Sequence, residues 1–131
     1  MIGIVLVAHS HLLAKGLQEM ALQMSQNLVK VATGAGVDDQ TIGTNAERIH
    51  EAIQAVYSPE GVLILFDLGS ALLSTQLAIE MLPDEQQTHI KLSNAPLVEG
   101  AIVAVVEASL GHDLEQVNLA AEAAKDMQKI L

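Results

Sequence analysis

The sequence contains no cysteine and no tryptophan, and only one tyrosine and one phenylalanine among 131 residues. Without thiols, neither a disulfide framework nor a thiolate metal site can form. Cations are scarce as well: six Lys and Arg stand against 16 Asp and Glu, giving a formal net charge of −10. So few cations cannot neutralise many phosphates, which argues against a nucleic-acid partner. No apolar run is long enough to span a membrane, and the apolar opening lacks the cationic flank of a signal peptide. A cytoplasmic location with no membrane contact is expected. No linker, repeat or low-complexity segment interrupts the chain, so a single domain over 1–131 is expected, long enough for a real core. What is abundant is aliphatic. Half of the residues are hydrophobic and the mean hydropathy is +0.37, which hints at a buried subunit interface.

Two apolar runs stand out. Residues 2–8, IGIVLVA, are almost wholly apolar and β-branched and read as a strand buried on both faces, and Val62 to Phe66 reads the same way. Each stops at a polar loop: His9-Ser10-His11 after the first, Asp67-Leu68-Gly69-Ser70-Ala71 after the other. Between and around them, helical spacing runs from His11 to Met24, and again through Ile49, Ala52, Ile53 and Val56. Thr44 to Glu47 reads as a capping box for the second helix. A short strand is expected over 28–32, with Thr33 to Gly36 as a flexible loop. Ser70 is expected to cap a third helix ending near Pro83, and a weaker strand follows around 89–92. Pro96 opens a fourth helix that Gly111 stops, and Asp113 with Gln116 caps a last one, with Lys125 and Lys129 in its final turns.

Alternating strands and helices predict a doubly wound α/β domain with a four-stranded parallel sheet and right-handed crossovers. The uninterrupted runs belong in the centre, and the strands marked by Lys30 and Lys91 at the edges. The predicted order is 2-1-3-4. The connection reverses direction between strands one and three, so His9 and Asp67 flank the switch-point crevice, where such sheets place ligands.

Glycines and helix starts converge there: Ser10, Thr33, Gly34, Gly69 and Ser70 could offer backbone N–H groups to an anion. There is neither Walker spacing nor a Gly-x-Gly-x-x-Gly, so nucleotide binding is unsupported. An imidazole beside a carboxylate, facing an anion cradle, suits a phosphoryl group carried on histidine. The carboxylate of Asp67 would hold one ring nitrogen of His9 and leave the other free as nucleophile. The plainer alternative is a surface histidine satisfied within a strand–helix turn.

Four blocks add to this reading: IVLVAHSH, IGTNAERIHEAI, GVLILFDLGSALL and NAPLVEGAIVAVVEASLG. In their order and spacing the chain resembles the phosphotransfer subunits of the phosphoenolpyruvate-dependent dihydroxyacetone kinases, which are related to the mannose-type IIA domains of sugar transporters. The resemblance covers essentially the whole chain. It implies a homodimer phosphorylated on His9 by the small carrier HPr, with Asp67 as the orienting acid. It further implies delivery of the phosphoryl group to ADP on the nucleotide subunit, which then phosphorylates dihydroxyacetone. No cofactor of its own is implied, while ADP or ATP with Mg is expected on the partner. Asp-Leu-Gly-Ser-Ala replaces the longer Gly-Gly-Ser/Thr-Pro segment of the transporter domains, which favours the kinase subunit. A transporter IIA domain and a non-catalytic binder of anions or phosphoproteins remain the alternatives.

The other histidines carry less. His9-x-His11 could suggest a metal site, but such sites need more ligands than this chain assembles in sequence. His11 is expected at the crevice mouth and His50 on a solvated helix face. His89 and His112 have no evident partner in sequence.

Overall fold

The computed structural model describes all 131 residues. Four parallel strands, β1 (Gly3–Ala8), β2 (Val31–Ala35), β3 (Val62–Phe66) and β4 (Ile90–Leu92), form one sheet in the order β2-β1-β3-β4. The predicted order holds. β1 is buried at every position, as a strand covered on both faces must be.

Six α-helices connect and flank the strands: α1 (His11–Met24), α2 (Ala46–Val56), α3 (Leu72–Glu80), α4 (Asp84–Gln87), α5 (Leu97–Ser109) and α6 (Leu114–Ala123). The strand alternation assigns their sides. Ile4 and Leu6 of β1 point into a core with Ala14, Leu17 and Ala21 of α1, Ala101 and Val105 of α5, and Val117 of α6. Val5 and Val7 point the other way, against Ile49 and Ile53 of α2 and Ala78 of α3. Each fully buried Val, Leu or Ile contributes about 1.5–3 kcal/mol of transfer free energy. The sheet is therefore fixed from both faces, and its carboxyl-terminal rim becomes a rigid platform.

Several local expectations are corrected. β2 begins at Val31, not Leu28, and Thr33 and Gly34 lie within it rather than in a loop. Gly34 is small for a packing reason: a Cβ there would lie 2.8 Å from the Ile49 Cα. The N-cap of α2 is Asn45, whose side chain accepts from Glu47 N, while the Thr44 hydroxyl pairs with that of Ser74 at 2.8 Å. Ser70 caps no helix; Gly69–Ala71 is a 3-10 turn leading into α3. Lys129 lies beyond α6, where its Nζ pairs with Glu99 at 2.9 Å and, with that hydrogen bond as the main cause, holds the Glu99 carboxyl below its usual range. The short α4 had no clear sequence signal. The capping box of Asp113 and Gln116 is present, and Gly111 closes α5 with a φ of +84°. No helix is long and apolar enough to cross a membrane.

Candidate functional site

Register brings the two polar loops together. The pairing of Val7 with Phe66 places the ends of β1 and β3 side by side, and Asp67 N continues the ladder onto Val7 O at 3.1 Å. The residues just past each strand, His9 and Asp67, then face each other across the rim.

The Asp67 carboxylate grips His9 twice. Its Oδ2 accepts from the His9 backbone N–H at 3.0 Å, and both oxygens lie 3.0–3.1 Å from the ring Nδ1. It also accepts from Leu68 N at 2.8 Å, which locks the carboxylate in turn. An ionised carboxylate can only accept, so Nδ1 carries the ring proton. In the neutral ring Nε2 therefore holds the lone pair. The Ser70 hydroxyl lies 3.0 Å from that Nε2, where its O–H can donate. Side-chain exposure is 23% for His9 and 16% for Asp67, enough for a partner to reach the ring but little enough to keep the pair ordered.

Around this ring the structure brings together some of the residues expected to form an anion cradle. Gly69 and Ser70 open the 3-10 turn, so their N–H groups lack intrahelical partners, and the space around Gly69 is open. Ser10 is the N-cap of α1, and its Oγ accepts from Leu13 N at 3.3 Å. Thr33 and Gly34 are not part of a loop over the site. Gly36 and Gly43 border the rim instead, with their N–H groups already engaged: Gly36 N donates to Ala8 O at 3.0 Å and Gly43 N to His9 O at 2.9 Å. Gly36 has a φ of +73°, a left-handed turn that leads the chain back across the rim.

His11 is near but serves differently. Arg48 Nη2 lies 3.3 Å from its Nδ1 and Asp39 Oδ1 lies at 3.5 Å. The two histidines thus do not converge on one point. The remaining three have structural partners: His50 with the Ala78 carbonyl, His89 with the Tyr57 hydroxyl, and His112 with Glu107.

What the arrangement can do is nucleophilic transfer at one nitrogen. The tautomer is set by Asp67, the lone pair is aimed at the crevice, and N–H donors of a helical turn stand beside it.

The family described as PTS system fructose IIA component matches residues 3–118. The phosphoryl donor subunit DhaM of the PEP-dependent dihydroxyacetone kinase of Providencia stuartii is 45% identical over 121 residues, covering 89% of this chain and 25% of that protein. The Escherichia coli subunit of the same description is 42% identical over 120 residues, with the same shares. The chain thus spans 25% of the length of these two relatives. A phosphoryl donor subunit DhaM of Listeria innocua is 38% identical, and there the match covers 94% of the relative. Among solved structures, a protein of unknown function superposes with a TM-score of 0.81 at 34% identity, over 94% of this chain and 95% of that one. The dihydroxyacetone kinase of C. freundii shares the fold, with a TM-score of 0.57 at 16% identity over 93% of this chain and 24% of that one.

Proposed function

The chain belongs to the PTS IIA family, among the phosphoryl donor subunits of dihydroxyacetone kinase, and from that premise we propose that it is a phosphohistidine carrier working through His9. The observation that carries the reading is the division of labour on one ring: the carboxylate on Nδ1, and on Nε2 a lone pair met by the Ser70 hydroxyl at 3.0 Å.

In the proposed cycle Nε2 attacks the phosphorus of phospho-HPr, and the donor's N–P bond breaks as the new one forms. The Nδ1 proton stays on the ring, and Asp67 stabilises the imidazolium character that develops. A terminal oxygen of ADP, held on the nucleotide subunit, then attacks the phosphorus and restores neutral His9. The ATP so formed phosphorylates dihydroxyacetone on the partner kinase, placing the chain in the cytoplasmic metabolism of glycerol-derived trioses. The phosphate carries about −1.5 to −2 charge in a chain already at −10. Charges beyond a Debye length of about 8 Å are largely screened, whereas the N–H groups of Gly69 and Ser70 adjoin the site. Local donors outweigh the global charge.

We also propose a homodimer. Leu72, Leu73, Leu77 and Met81 of α3 and its end are 36%, 68%, 48% and 48% exposed, an aliphatic face that water does not favour. Such an interface withstands salt, because screening weakens ion pairs and not apolar burial. Sedimentation at micromolar concentration tests it: a dimer at both low and high salt is expected, and a monomer contradicts it.

The family description names a fructose IIA component, which keeps a transporter domain as the second reading. Incubation with phosphoenolpyruvate, the first enzyme of the system and HPr, followed by mass spectrometry, should show one acid-labile phosphate on His9. Its loss to ADP on a soluble kinase subunit supports the first reading, and its loss to a sugar-specific IIB domain supports the second. No phosphate at all would leave a non-catalytic binder.

A further inference from the structure

Arg48, the single arginine of the chain, lies in the first turn of α2 and does not enter the mechanism above. Its guanidinium reaches three separate segments. Nε and Nη2 donate to the Ala35 carbonyl at 3.2 and 3.0 Å. Ala35 ends the edge strand β2, so this carbonyl has no neighbouring strand to turn to. Nη2 also donates to Asp39 Oδ1 at 2.9 Å and lies 3.3 Å from His11 Nδ1. The planar fork chelates the carbonyl with two parallel N–H groups while a further one holds the carboxylate, a rigid geometry that a point-charge ammonium does not reproduce.

The segment between Gly36 and Gly43 is tied to Arg48 at Asp39 and is itself folded. Val37 N donates to Thr41 O at 2.9 Å, Gln40 N to Asp38 Oδ1 at 2.9 Å, and Asn45 Nδ2 to Val37 O at 3.1 Å. The loop therefore moves as a body or not at all. Its far end touches the reacting side of the molecule twice. Gly43 N holds the His9 carbonyl at 2.9 Å, and the adjacent Thr44 hydroxyl pairs with Ser74 at 2.8 Å. Ser74 lies one helical turn beyond Ser70, whose hydroxyl meets His9 Nε2. The loop thus touches both the backbone of the histidine and the helix that presents a hydroxyl to it.

We propose that Arg48 is a positioning residue for the His9 site, acting through the loop of residues 36–43. It pins Asp39 and the end of β2 to α2, and so fixes the distance between His9 and the turn that carries Gly69 and Ser70. The proposal deepens the phosphocarrier reading and rests on it for its kinetic part. Misplacing a reacting group by about 1 Å from a distance can cost on the order of a hundredfold in rate.

The test uses the full chain with Arg48→Met, Arg48→Lys and Asp39→Asn. Amide hydrogen exchange comes first and needs no phosphoryl donor. The Gly43 amide should exchange at least about tenfold faster in Arg48→Met and Asp39→Asn, while that of Val5 in the core is unchanged. Transfer from phosphorylated HPr to His9 should then show kcat down about ten- to a hundredfold with KM unchanged. Arg48→Lys should restore only a minor part of it. Unchanged Gly43 exchange in both variants overturns the proposal, as does faster exchange with undiminished kcat. If the unsubstituted chain accepts no phosphate, the phosphocarrier reading falls. The exchange data then still decide whether Arg48 holds the loop against His9.

Discussion

His9 and His11 stand two residues apart, and their rings are wired to different partners. Nδ1 of His9 faces the Asp67 carboxylate, which only accepts, whereas Nδ1 of His11 sits between the Arg48 guanidinium at 3.3 Å and the Asp39 carboxylate at 3.5 Å. The Asp67 carboxylate sets the His9 ring with its lone pair at Nε2 toward the crevice, while the His11 ring is held in a structural cluster that contains both charges. Backbone geometry makes the separation possible, since His9 extends β1 along the rim while His11 begins α1. Which nitrogen can attack is decided by the partner of the other one.

The comparison breaks most visibly at the histidines themselves. His9→Ala should abolish phosphorylation and leave the fold within about 1 kcal/mol, as for a partly exposed residue that ends a strand. His11→Ala should still accept a phosphate. Mass spectrometry of both variants decides it, and a phosphate found on His11 would reverse the two roles. Next comes the carboxylate. Asp67→Asn can offer an amide donor to Nδ1 and so favour the wrong tautomer. Transfer should slow by about two to four orders of magnitude, with near-wild-type thermal unfolding. Undiminished transfer by this variant would show that Asp67 does not set the ring.

Two smaller effects sharpen the contrast between chemistry and packing. Gly34→Ala places a Cβ against the Ile49 backbone and should destabilise by about 1–3 kcal/mol, while the folded fraction keeps its transfer rate. A loss of rate without a loss of stability would return Gly34 to the phosphate cradle. Ser70→Ala removes one hydrogen bond of about 0.5–1.5 kcal/mol, so transfer should change about tenfold or less. The smallest effect is in the loop. The backbone N–H of Gln40, first among its causes, holds the Asp38 carboxyl below its ordinary value of 3.8. A depressed folded-state pKa gives stability above the unfolded value that is lost as pH falls through the folded one. Acid titration of the loop amides should show this turn loosening only below about pH 4.

Much of this was legible in the sequence, for physical reasons. β1, β3, α1 and the buried stripe of α2 follow from periodicity and β-branched runs. His9 and Asp67 followed because strand ends at a switch point are where such sheets gather side chains. β2 was misplaced because Val29 and Val31 look like strand while Thr33-Gly34-Ala35 does not. Only the approach of Ile49 explains a glycine in that strand, and an approach between distant segments leaves no local signal. Ser70 was read as a cap because its spacing suits one, but a 3-10 turn leaves its hydroxyl free for His9. Arg48 was missed altogether. Its one signal was scarcity, a lone arginine in an acidic chain, beside the buried stripe of α2.

On the proposed reading, one nitrogen of one histidine carries the phosphoryl group because a carboxylate holds the other. Heteronuclear NMR of the phosphorylated protein, with nitrogen-labelled histidine, tests it most directly. Phosphorus coupling is expected at Nε2 of His9, with a protonated Nδ1 still hydrogen-bonded to Asp67. Phosphorus coupling at Nδ1, or on any other histidine, would contradict it.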